Sequence, residues 1–114
     1  MAQCMYVERK HVIEYTPNAT IETCDALTDL LNMVGVDYLL RDYYDEGEVQ
    51  RQNLKEGIET FRKYLDGEEC IDMEELSAFK ERCEIEDDRD ILKFLEWMYE
   101  KSDQTNDTIY FSFF

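Results

Sequence analysis

With 114 residues, 44% of them apolar, the chain has the length of one domain and the side chains for one core. Its 28 Asp and Glu against 12 Lys and Arg give a formal net charge of −16. A surface of that sign repels nucleic acid and anionic membranes and draws basic proteins or cations. Direct nucleic-acid binding is excluded as a reading because the bases that phosphates require are too few, and no apolar run nears the roughly 18–20 residues of a membrane span.

The expectation is therefore a single acidic domain over residues 1–114. The first sixteen residues are neutral, with Glu8 and Glu14 balancing Arg9 and Lys10, so the excess acid lies between Glu22 and Asp107. The opening MAQCMYVERK lacks the charged and apolar regions of a secretory leader, which sets a reducing cytoplasm as the expected compartment. Cys4, Cys24, Cys70 and Cys83 form no C-x-x-C pair, and His11 stands far from all of them. No zinc set is expected, the thiols read as free, and Cys24, Cys70 and Cys83 lie on or beside apolar helix faces, which suits buried, inert thiols.

In chain order, residues 3–16 hold two short β-type apolar runs, Met5–Val7 and Val12–Tyr15, around Glu8-Arg9-Lys10-His11. One continuous strand would place Arg9 and His11 on its apolar face, so a hairpin is expected. Pro17 ends the segment, and Asn18 or Thr20 can cap a helix. Ile21, Cys24, Leu27, Leu30, Leu31 and Val34 then recur at helical spacing up to Gly35.

Asp37 to Glu46 reads as a short helix that is apolar nearly all round, interrupted at Gly47. A longer helix with Val49, Leu54, Ile58, Phe61, Tyr64 and Leu65 facing in follows. Gly57 within it costs about 1 kcal/mol against Ala. Asp72 with Glu75 makes a capping-box start for a helix lined by Met73, Leu76, Phe79 and Cys83. Asp87 with Asp90 starts another, lined by Ile91, Phe94, Leu95, Met98 and Tyr99. The turn-rich SDQTND leads to the alternating strand TIYFSFF. The expected class is α+β: four to five helices packed on a small antiparallel sheet of two to three strands formed by the N- and C-terminal segments.

The run FRKYLDGEECIDMEEL partly resembles a calcium-binding EF-hand, with Ile71 before Asp72 and Glu75 at the last bidentate position. In that register Tyr64 stands where the first ligand, an Asp, belongs, and Glu69 stands where Gly makes the turn. The plainer reading is a helix–loop–helix corner with a capped second helix. No nucleophile elbow, phosphate loop or H-x-x-x-H is present, and His11 sits in a presumed turn, so the chain reads as not an enzyme and needing no cofactor or metal.

What remains is the acid surface. Asp66 to Asp90 carries twelve carboxylates and three bases, Lys80, Arg82 and Arg89. Carboxylates three or four apart on a helix stand about 5–6 Å apart and repel; Glu68–Asp72, Glu81–Glu84, Glu84–Asp88 and Asp87–Asp90 have that spacing. Such rows approach the spacing of backbone phosphates and, as unbalanced charge, are not explained by helix stability.

The expected partner-binding patch is Glu68, Glu69, Asp72, Glu74 and Glu75, extended by Glu84, Glu86, Asp87 and Asp88. Tyr43, Tyr44, Asp45 and Glu46 form a second, where tyrosines among acids can anchor a basic partner or pack as core. The function expected is an inhibitor or nucleic-acid mimic. It would bind a basic surface of a nuclease or DNA/RNA-binding protein, as small counter-defence and immunity proteins of similar size and charge do. A calcium-binding or regulatory helix–loop–helix module, and a housekeeping domain whose charge serves solubility, stand as alternatives. The chain is expected to be a monomer or homodimer.

Overall fold

A computed structural model of the chain describes residues 5–9, 12–15, 21, 24–40, 46–102 and 104–113. Strands β1 (Met5–Arg9) and β2 (Val12–Tyr15) precede helix α1 (Cys24–Met33), then β3 (Tyr38–Leu40) and β4 (Glu46–Gln50). Three helices follow in succession, α2 (Arg51–Leu65), α3 (Met73–Cys83) and α4 (Asp88–Lys101), before β5 (Thr108–Phe113). None of the described helices is long and apolar enough to cross a membrane.

The strands form one antiparallel sheet in the order β2-β1-β5-β4-β3. The α+β class and the antiparallel pairing of the two ends, Met5 opposite Phe113 and Val7 opposite Phe111, agree with the sequence reading. So does the β1–β2 hairpin, although pairing runs to Arg9 opposite Val12. Glu8 and Arg9 thus belong to β1; Lys10, His11, Asn18 and Thr20 lie outside the described residues.

The sheet is larger than expected. The segment 37–46, read as a helix, supplies β3, and β4 takes Gly47 and Val49 from what read as a helix break and a helix start. A short apolar run carries no period that separates strand from buried helix, and what decides it is distant: β4 pairs with β5 from Glu46 opposite Ser112 to Gln50 opposite Thr108. Gly47 is buried between neighbours, and a Cβ there would stand 2.6 Å from Phe111 Cζ and 2.7 Å from the Leu39 carbonyl oxygen. The glycine marks close strand packing and not a helix end.

Burial alternates along β4, with Gly47 and Val49 inside, and Ile109 and Phe111 of β5 are buried, so one face of the sheet turns to the helices. The same core cluster takes in Leu27, Leu30 and Leu31 of α1, Leu54, Ile58 and Phe61 of α2, and Leu95 and Met98 of α4. Ile21 lies before α1 and is nonetheless buried.

Arg51 joins the two ends of the helical excursion. Its backbone N–H donates to the Asp107 carbonyl at 2.7 Å, while its guanidinium donates to the Asn106 carbonyl and the buried Ser102 hydroxyl, each at 2.9 Å. The guanidinium also lies 5.3 Å from the centre of the Tyr99 ring. The start of α2 and the end of α4 are therefore held together beside the β4–β5 pair.

Gly57 corrects the sequence reading most directly. A Cβ there would collide with Val36 Cγ2 and come within 3.1 Å of Val34 Cγ2, because α2 packs on the chain leaving α1. Helix propensity alone favours alanine by about 1 kcal/mol, but overpacking a close contact costs about 1–3 kcal/mol. Gly57→Ala is expected to lower stability by about 1–2 kcal/mol, read as a lower urea midpoint at unchanged m-value; a raised midpoint would show that the contact relaxes freely.

Candidate functional site: the acidic corner

Helices α2 and α4 run antiparallel: Arg62 pairs with Glu96 at 2.6 Å, and two residues further along α2 the Tyr64 hydroxyl donates to Asp88 at 3.1 Å. At 1.5 Å per residue the fifteen residues of α2 carry this second contact about 20 Å from Arg51. The end of α2, the start of α4 and all of α3 form the corner that the acid-rich segment builds.

Two caps fix it. The Asp72 carboxylate accepts from the N–H groups of Glu74 and Glu75 at 3.0 and 3.1 Å, and Asp87 accepts from Arg89 N–H at 2.9 Å. These satisfy donors that a helix start leaves open. Glu74, Glu75, Asp88 and Asp90 occupy first turns, where the helix dipole favours negative charge by about 0.3–1 kcal/mol each. This corrects the expectation that the unbalanced acids owe nothing to helix stability. It also breaks up the proposed rows. Glu68–Asp72 and Glu84–Asp88 span loops, Glu84 lies past the end of α3, and Asp87 is a cap, so none of the four pairs lies wholly inside a helix.

Asp88 works inward. It is half-buried, takes the Tyr64 hydrogen bond, and faces Lys80 Nζ at 2.6 Å. The Asp88 hydrogen bond and charge hold the Lys80 ammonium above its ordinary pKa, against a smaller opposing effect of burial. Burial first, and then Asp88, push the Tyr64 phenol up. Tyr64 Oη also lies 3.7 Å from Met73 Sδ, so one phenol touches the starts of both α3 and α4.

The other expected residues divide clearly. Glu68 and Glu69 are exposed in the α2–α3 loop, Asp72, Glu74 and Glu75 are exposed at the start of α3, and Glu84, Glu86 and Asp87 are exposed between α3 and α4. Glu46 is half-buried in β4, on the sheet and not at the corner. Tyr43, Tyr44 and Asp45 lie outside the described residues. Leu65, Asp66, Lys80, Glu86, Asp87, Asp88, Arg89 and Leu92 line one open groove of about 790 Å³, which joins the end of α2 to the α3–α4 loop.

All three bases of the segment are engaged: Lys80 by Asp88, Arg82 by Asp29 at 2.5 Å, and Arg89 loosely by Asp87 at 3.8 Å. Glu68, Glu69 and Glu86 neither cap a helix, nor start one, nor pair with a base among the described residues; Asp66 and Glu84 close α2 and α3 through their backbone, and their carboxylates also pair with no described base.

Sequence reading missed two features. Met73, placed inward by its spacing, is 57% exposed, because the first residue after the Asp72 cap stands at the rim of the corner. Cys70, expected beside an apolar face, is exposed too, whereas Cys24 and Cys83 are buried as expected. Among the described residues no three His, Cys, Asp or Glu side chains gather as metal ligands. Tyr64, in the first ligand position of the EF-hand register, belongs to the last turn of α2.

Three helices end in one hydrogen-bond pattern, seen in Val36 N–H to Leu31 O, Glu68 N–H to Lys63 O and Ile85 N–H to Lys80 O. Glycine takes the left-handed position after α1 and α2, at φ 75° and 79°, but after α3 Glu84 takes it at φ 56°. A side chain there costs about 1–2 kcal/mol, partly offset in a glycine by its greater freedom when unfolded. Glu84→Gly is expected to stabilise the protein by about 0.5–1 kcal/mol, visible as a raised melting temperature.

The pinned groups also set a pH response. Both pKa values are raised by folding, so the unfolded chain loses these protons first as pH climbs. Their contribution is complete below pH 10.0 for Tyr64 and 10.5 for Lys80, and it declines as pH rises through the folded values. Urea titrations at pH 8, 10 and 11 are expected to show a steeper alkaline loss in the parent than in Tyr64→Phe or Lys80→Met, with Lys80→Met costing about 1 kcal/mol at pH 8. Parallel alkaline losses would show that the Tyr64–Asp88–Lys80 contacts do not set the alkaline response. Comparison of the chain with protein-family models, curated proteins and solved structures finds no match.

Proposed function

We propose that the chain is a protein-interaction domain that uses the acidic corner to occupy a basic, nucleic-acid-binding surface of a nuclease or DNA/RNA-binding protein, and so inhibits it. One observation carries this reading. The carboxylates of Asp66, Glu68, Glu69, Glu84 and Glu86 stand exposed at one corner, capping no helix start and paired with no described base, around an exposed Met73. Unneutralised carboxylates on a folded frame steer a basic partner. A flexible thioether at the rim gives contact energy that charge alone lacks once screened.

The caps Asp72 and Asp87 and the pin Asp88 are left to the fold in this reading. The binding set narrows to Glu68, Glu69, Glu84 and Glu86, with Glu74 and Glu75 contributing field from the start of α3. Mimicry here is of charge density and not of phosphate spacing, since the expected helical rows are absent. No observation favours cation binding, and solubility alone asks for a net charge of only about 2–8 on a small domain.

The test is retention of basic proteins from source-cell lysate on immobilised domain, eluted with rising salt or with duplex DNA, using the parent and the Glu68→Lys/Glu69→Lys/Glu86→Lys variant. None of those three positions caps a helix, so the variant is expected to fold. A retained nucleic-acid-binding protein should leave between about 0.2 and 0.5 M salt and be displaced by DNA. The variant should bind it at least tenfold more weakly, about 1.4 kcal/mol. Equal retention by the variant, or indifference to DNA, would overturn the proposal.

A further inference from the structure

We propose that β3 is a docking edge at which an extended basic segment of a partner protein adds a sixth strand to the sheet, beside Tyr38–Leu40. This surface is separate from the acidic corner, which lies at the far end of α2. The strand order ends at β3, so among the described residues one side of its backbone has no neighbouring strand in the sheet. Natural edge strands are blunted by charge, proline or cover; β3 instead exposes Leu39 at 66% and Leu40 at 49%. With Met73 these are the large hydrophobic residues most exposed among those described.

The neighbours indicate the chemistry of the occupant. Leu39 stands opposite Glu48 and Leu40 opposite Gly47, on alternate faces of the sheet. Exposed Asp37 precedes the strand. A strand laid along β3 would bring one side chain beside Leu39 and near the Glu48 carboxylate. A long methylene stem ending in a cation suits that place. The next side chain would fall beside Leu40 on the face of the core, where an apolar group fits.

The sequence recognised is thus one that alternates apolar with Lys or Arg, bound by main-chain hydrogen bonds with side chains read at every second position. A second copy of this chain is the poorer occupant. Self-pairing would bring together two surfaces of the same sign, each chain carrying −16.

The probe is a blocked hexapeptide alternating Val and Lys, with a Val/Glu peptide as control, followed by backbone amide resonances and hydrogen exchange on the full chain. The Val/Lys peptide is expected to shift and protect amides at Tyr38–Leu40, the control is not, and Leu39→Lys should weaken binding at least tenfold. Leu39 is largely exposed, so that variant keeps the fold, which circular dichroism checks. Glu48→Gln is expected to flatten the salt dependence.

Protection of the same amides by the control peptide, or no protection, overturns the proposal. So does sedimentation of the free chain as a dimer with those amides already protected. The Glu68→Lys/Glu69→Lys/Glu86→Lys variant separates the two surfaces. If it binds the Val/Lys peptide as the parent does, β3 is the site. If it loses binding, the peptide sat at the corner, and the β3 assignment fails while the corner reading stands.

Discussion

Strand β5 is the element the rest of the structure depends on. It bonds β1 on one side and β4 on the other, so the sheet closes only when residues about a hundred positions apart in sequence, such as Met5 and Phe113, have met. The entropy of closing so long a loop grows only slowly with its length, so this topology burdens folding rate more than stability. Every helix after β4 is contained in the connection between β4 and β5. Arg51 fastens both ends of that connection by bonding the start of α2 to the turn that follows α4. The helical part is therefore a lobe anchored at the sheet, with α2 running out, α3 crossing and α4 returning.

That architecture explains why the acids collect where they do. The end of the lobe beyond α2, where α3 packs on α1, contains two helix starts and two helix ends within a short span of chain. Helix starts favour carboxylates as caps and first-turn residues, which accounts for Asp72, Glu74, Glu75, Asp87, Asp88 and Asp90 on grounds of folding alone. Helix ends favour the opposite sign, and there Glu81 and Glu84 stand against the dipole. A residue that stabilises nothing around it is better evidence of an external role than one acid more in a crowded segment. On this criterion the weight shifts from Asp72, Asp87 and Asp88 to Glu68, Glu69, Glu84 and Glu86.

Much of the fold was legible in the sequence wherever a local signal determines structure. Periodic apolar residues marked α1, α2, α3 and α4, the Asp72 and Asp87 caps marked two helix starts, and alternation marked β5. What was illegible depended on tertiary partners. Tyr38–Leu40 has no period of its own and became a strand because β4 offers it a neighbour. Gly57 looked like a helix defect and is a contact point for Val34 and Val36. At the site, the sequence identified the acid-rich segment but could not sort its members, because a cap, a buried pin and an idle carboxylate are the same residue type until their partners are in place. Met73 was misassigned for a related reason: helical spacing names a face but not where along it the neighbouring helices end.

Charge and contact divide the work of recognition between them. Screening confines the field of exposed carboxylates to roughly 8–10 Å at ordinary ionic strength, so a net charge of −16 gathers and orients a basic partner but does not by itself hold it. Lasting contact requires apolar surface leaving water. The described surface exposes large apolar side chains in two places, Met73 at the end of the lobe and Leu39–Leu40 at the sheet edge, each with acids nearby. They lie towards opposite ends of α2, a helix roughly 20 Å long. A partner engaging both needs a basic concave surface for the lobe and an extended basic segment for the edge. A partner engaging one leaves the other free, which is why the corner variant and the Leu39 variant report on different events.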